Sequence, residues 1–164
     1  IIYDALIWYF LWVYLVVIFY EAFLDTHCAP HLYSPKLKYM VISFMAIFIL
    51  ILILALSSVP VNIPYFYLAL GISMVLIPIL VVLFEFPVLF DRIMKGTMYF
   101  AYLYLLLDLT EIALGHWTYP GQFIGWVDII GIRIPMEEFF FWIMFGGATI
   151  ISWYTYFDEN KKLR

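Results

Sequence analysis

Residues 108–142 read DLTEIALGHWTYPGQFIGWVDIIGIRIPMEEFFFW. Two pairs of acidic residues stand in this stretch, Asp108/Glu111 and Glu137/Glu138, and both border or enter long apolar runs. Between them lies a loop rich in Gly, Pro and aromatic residues, with Trp117, Tyr119, Pro120, Trp126 and a single basic residue, Arg133. Apolar sequence on both sides of such a loop reads as two helices meeting at one face of a membrane. The Trp and Tyr content predicts an interfacial or partly re-entrant segment over 115–134.

The remainder of the chain reads the same way. Of its 164 residues, 67% are hydrophobic and only 12% are charged, whereas a soluble domain carries about 25% charged residues. So few charges cannot cover a surface in water, and the composition points to an all-α integral membrane protein of one polytopic domain. A bilayer core of about 30 Å takes roughly 20 apolar residues per helix. Five segments qualify, 2–24, 39–57, 63–84, 96–114 and 135–157. Pro78 is expected to kink the third, and Pro135 suits the first turn of the fifth.

Basic residues give the orientation. Lys36, Lys38, Arg92, Lys95, Lys161, Lys162 and Arg164 fall on one side of a five-span arrangement, and Arg133 alone falls on the other. Cytoplasmic loops carry the excess of Lys and Arg, so the carboxyl terminus is expected in the cytoplasm and the 115–134 loop outside, with the cell membrane as the location. Eight basic residues in all provide no basic face for nucleic acid. One cysteine, Cys28, excludes a disulfide framework and a cysteine-based metal cage.

The acids carry the chemistry. Asp108 and Glu111 are three residues apart and share a helix face, while Glu137 and Glu138 point about 100° apart, so only one need face the same site. Acidic residues at a helix start are stabilised by the dipole, by about 0.3–1 kcal/mol, which gives Glu137 and Glu138 a structural explanation. Asp108, towards a helix carboxyl end, has no such explanation, and an intramembrane acid costs about 2.5–3.5 kcal/mol on insertion scales. Arg133 is a candidate to neutralise or support one acid. A carboxyl removed from water and set beside another can stay protonated near neutral pH and act as a general acid while its ionised neighbour acts as base. Trp117, Tyr119, Trp126, Phe139, Phe140, Phe141 and Trp142 could stabilise a cation through their ring faces, or form an interfacial belt.

Absences narrow the field. There is no Gly-rich dinucleotide motif, and His27, His31 and His116 fall on opposite sides of the membrane. Neither a cofactor nor a metal is expected. A weak internal repeat runs at an offset of 134 residues, placing Asp4 on Glu138, Trp8 on Trp142, Tyr20 on Tyr154, Phe23 on Phe157 and Asp25 on Glu159. The chain also begins inside an apolar run without a Met, which leads to the expectation of further sequence upstream.

The motifs Gly115-His116-Trp117-Thr118-Tyr119-Pro120, Gly131-Ile132-Arg133 and Pro135-Met136-Glu137-Glu138-Phe139-Phe140-Phe141, following Asp108, resemble the carboxyl-terminal repeat of the small membrane lycopene cyclases. These are the heterodimeric or fused cyclases of actinobacteria, archaea and fungi. The likeness covers residues 96–157. It implies a seven-helix, two-repeat architecture, in which 1–24 ends a first repeat, 39–57 is a linker helix and 63–157 is the second three-helix repeat. The chain departs from the family in lacking the first half and in having Asp4 where a glutamate is expected, so a partner repeat, a partner subunit or a second copy would complete the site.

The implied activity is a redox-neutral, isomerase-type β-cyclisation of an apolar polyene, lycopene. A carboxylic acid, Glu138 or Glu137, protonates the terminal double bond of a linear ψ-end. The cation closes to a six-membered ring, and loss of a proton gives a β-ionone end. Asp108 is the expected partner, with Glu111 beside it, Arg133 as electrostatic support, and Trp117, Tyr119, Pro120, Trp126, Phe141, Trp142 and Asp4 around the substrate. The alternatives are a non-catalytic carotenoid-binding or assembly subunit, and another carotenoid- or prenyl-modifying enzyme on the same scaffold.

Overall fold

A computed structural model describes residues 2–24, 35–56 and 63–157. Asp25, His27, Cys28, His31, Glu159, Lys161, Lys162 and Arg164 lie outside the described residues. Asp4 falls within the first helix, and its side chain likewise lies outside what is described.

The described chain is mostly helical. α1 spans Ile2–Phe19 and runs on as a π-helical stretch, Tyr20–Leu24. α2 spans Pro35–Leu56. α3, Phe66–Leu70, continues through a π-helical stretch, Gly71–Leu76, into α4, Ile77–Glu85. A 3-10 turn at Pro87–Leu89 leads into α5, Phe90–Ala113. A hairpin of β1, Trp126–Ile129, and β2, Ile132–Pro135, precedes a π-helical stretch, Glu138–Met144, and α6, Gly146–Phe157.

Among the described residues two stretches are long and apolar enough to cross a membrane, Ile7–Leu24 and Phe66–Glu85. α5 has the length, but Lys95, Asp108 and the tyrosines at 99, 102 and 104 dilute it. It also begins earlier than the apolar run suggests. Leu89 and Ile93 are buried, so the inward face continues past Asp91, Arg92 and Lys95. Pro78 stands two residues after the end of the π-helical stretch. The widened turn is where a residue without an N–H, whose ring crowds the preceding carbonyl, is accommodated.

Two apolar clusters hold the helices together. The larger joins Val16 and Tyr20 of α1 and its π extension, Val75, Ile79 and Val82 of the α3–α4 rod, Ile93 and Phe100 of α5, and Ala148 and Ile151 of α6. Close approach depends on missing side chains. A Cβ at Gly147 would lie 2.9 Å from Phe100, and one at Gly71 would run into the ring of Phe141. The smaller cluster centres on Tyr104, Ile134 and Ile143, with Trp8, Trp12 and Trp142 around it. Several residues related by the 134-residue offset meet in space. Tyr20 and Tyr154 make an edge-to-face contact at 6.0 Å, and Trp8 and Trp142 share the smaller cluster; beside the first pair, Tyr154 also donates a hydrogen bond to Glu21 at 2.8 Å.

The 115–134 loop ends in ordered antiparallel structure, which the aromatic content alone does not reveal. Trp126 pairs with Pro135 and Asp128 with Arg133. The turn, Ile130-Gly131, has φ of +54° and +79°, the left-handed geometry of a two-residue hairpin. Asp128 accepts the Gly131 N–H at 3.0 Å. Ile129, Ile132 and Ile134 face the smaller cluster, so alternation buries one side of the hairpin. Pro135 therefore ends β2 instead of entering the first helical turn. Its missing N–H is harmless at a strand end, and helical geometry begins at Met136.

Candidate functional site

Three acids are buried where α5 ends and the segment after β2 begins. Asp108 is 7% exposed, Glu137 1% and Glu138 4%. Asp108 and Tyr104 are four residues apart on α5 and so share a face. That face meets the Glu138–Met144 stretch, which brings Glu138 against it from the other side.

Each acid has a different partner. The Tyr119 hydroxyl donates to Asp108, lying 2.7 Å from Oδ1 and 2.8 Å from Oδ2. The Tyr104 hydroxyl donates to Oε1 of Glu138 over 3.3 Å. Glu137 Oε1 accepts the backbone N–H of Ile124 at 2.7 Å. Asp108 and Glu138 are within electrostatic reach of each other, and Tyr9 and Tyr67 are within reach of both. Two of the acids are thus bonded by phenols, Glu138 by Tyr104 and Asp108 by Tyr119. Burial, then the nearby Glu138 carboxylate, then the bond to Asp108 push the Tyr119 hydroxyl well above the ordinary phenol range. It remains a donor at any physiological pH.

Aromatic rings wall the site. Tyr104 is met edge-on by Trp8 at 5.5 Å and Trp12 at 5.3 Å. Phe123 lies 5.4 Å from Tyr67, 6.4 Å from Tyr119 and 5.4 Å from Trp126. Trp117 meets Tyr119 at 6.5 Å, with its buried indole N–H unpartnered among the described residues. The indole N–H of Trp142 is likewise buried and unpartnered. Phe141 packs over Gly71, while Pro120 lies exposed in the loop.

Two residues singled out in the sequence stand apart from the pair. Glu111 turns to His116, with Oε2 3.1 Å from Nδ1 and both side chains partly in the open, so it closes the end of α5. Arg133 is exposed on the outer side of the hairpin, its guanidinium 5.2 Å over the ring of Trp126. Strand alternation puts it there. Among the described residues no cation pairs with Asp108 or Glu138, and phenols take the place expected for Arg133. Nothing in the sequence marks Tyr9 or Tyr67 among its 14 tyrosines. Tyr104 carries one signal, its place one helical turn before Asp108. Among the described residues no three His, Cys, Asp or Glu side chains are grouped to hold a metal ion.

Comparison with known proteins adds no relative, since no family model, curated protein or solved structure matches the chain.

Proposed function

We propose that this chain is a membrane-embedded lycopene cyclase unit in carotenoid biosynthesis, making β-ionone ends from linear ψ-ends by protonation, ring closure and deprotonation. In this reading five helices cross the cell membrane, with the carboxyl terminus in the cytoplasm and the carboxyl groups near the outer face. The observation that carries it is the buried pair Asp108 and Glu138, brought from two helices into an aromatic enclosure and hydrogen-bonded by phenols. The motif resemblance supplies the substrate.

The partners divide the roles. Tyr119 offers its proton to both oxygens of Asp108, an arrangement that suits an ionised, acceptor-only group. Glu138 takes only the longer bond, on Oε1, which leaves Oε2 to carry a proton. Glu138 then protonates the terminal double bond and the cation closes to a six-membered ring. Asp108 takes the proton whose loss forms the ring double bond. One proton enters the polyene and one leaves, so the reaction needs no oxidant. Trp8 and Trp12 pack on Tyr104, which bonds Glu138, and rings of this kind stabilise a nearby cation through their faces.

The test is expression of the full-length protein, with any partner subunit, in a lycopene-accumulating host, followed by chromatography of the pigments. β-Carotene or γ-carotene is expected. A folded, membrane-inserted protein that leaves lycopene unchanged overturns the reading, and hydroxylated or chain-extended products point to another enzyme on the same scaffold.

A further inference from the structure

Glu137 stands next to the proposed acid and is buried more deeply, yet its contact is with the loop backbone. Oε1 accepts the Ile124 N–H at 2.7 Å. The following pair of residues is joined too, since the Met136 N–H donates to the Gly125 carbonyl at 3.0 Å. Residues 124–125 are therefore fastened to 136–137 by two adjacent bonds. The fit is close, because a Cβ on Gly125 would lie 2.7 Å from the sulfur of Met136. Phe123, immediately before the fastening, packs its ring on both Tyr67 and Tyr119, and Tyr119 holds Asp108.

We propose that Glu137 is a positioning residue, whose carboxyl oxygen fastens Ile124 and so holds Phe123 and Tyr119 over the Asp108–Glu138 pair. This role requires an acceptor oxygen at the end of a side chain of this length. It requires neither a transferable proton nor a charge. The consequence for rate rests on Asp108 and Glu138 being the reacting pair, whereas the fastening itself does not.

Glu137→Gln keeps the acceptor, and Glu137→Ala removes it. In the full-length protein, Glu137→Gln is expected to form product near the wild-type rate and to leave exchange of the Ile124 amide unchanged. Glu137→Ala is expected to speed that exchange roughly tenfold or more, the order expected when a buried donor loses its acceptor, and to lower product formation about tenfold. Adding Tyr119→Phe to Glu137→Ala should cost little more, because both act through the same hold on Asp108. Where Glu137→Ala does not accumulate, Glu137→Met keeps the length without the acceptor. The proposal is overturned if Glu137→Gln loses as much as Glu137→Ala, if removing the acceptor leaves Ile124 protected, or if the two losses combine in full. Should the wild type form no cyclic product, the reading of the reaction fails, and Ile124 exchange still decides the fastening.

Discussion

The two ends of α5 carry acids of the same kind in opposite circumstances. At its start, Asp91 meets Lys95 at 2.6 Å with the side chains 73% and 63% exposed. Such a pair contributes about 0–1 kcal/mol, and water would serve either partner as well. Near its end Asp108 is 7% exposed, and its partner is the phenol of Tyr119. A cation would neutralise Asp108 as a matter of structure. A phenol satisfies the oxygens while leaving the carboxyl free to exchange a proton. The contrast separates an acid accommodated by water and a cation from one buried on a phenol, the circumstance that the proposed reaction requires.

The largest expected way to sharpen this contrast is Glu138→Gln. Removing a general acid lowers a rate by about 10²–10⁴-fold, and pigment chromatography should show that loss of cyclic product with protein levels unchanged. Near-normal turnover would remove Glu138 from the mechanism. Tyr119→Phe comes next. It leaves both buried oxygens of Asp108 without their donor, at a cost of about 1–3 kcal/mol, read as roughly tenfold slower cyclisation. Tyr104→Phe should do less, because its bond to Glu138 is longer at 3.3 Å. Gly71→Ala forces a methyl into the ring of Phe141 and should lower stability by about 1–3 kcal/mol, seen as a lower melting temperature in detergent. Asp91→Ala should change stability by no more than about 0.5 kcal/mol and leave product formation unaltered. A loss there as large as that from Tyr119→Phe would erase the distinction between the two ends.

Asp108 was legible because nothing local excuses an acid towards the end of an apolar helix. The helices over 2–24 and 63–84 were legible because unbroken apolar runs of that length have few other solutions. The hairpin was not. Its turn is Ile130-Gly131, and a β-branched residue at φ +54° replaces the Asn or Asp that marks such turns. Nor could periodicity say what covers Glu137. A 100° step predicts one glutamate facing inward and one outward, but the loop backbone folds over the second and buries it. The phenols were hidden by abundance. In a chain with 14 tyrosines, spacing alone does not show which hydroxyls reach a carboxyl. Charge alone points Arg133 to the acids, whereas strand register, which only the fold supplies, sets it over Trp126.

The π-helical stretch from Glu138 to Met144 carries a consequence for how this chain tolerates change in length. Such a stretch amounts to one residue inserted into an α-helix. Deleting any one residue between Phe139 and Met144 would let the ordinary helix close. The phase of α6 against Glu138 would be kept, because six residues at about 100° each turn through nearly the angle that the seven residues Glu138–Met144 cover in the wider helix. The same deletion made within α6, which is regular α-helix, would turn everything after it by about 100°, so the wide turn is where this part of the chain can lose a residue and keep its facing.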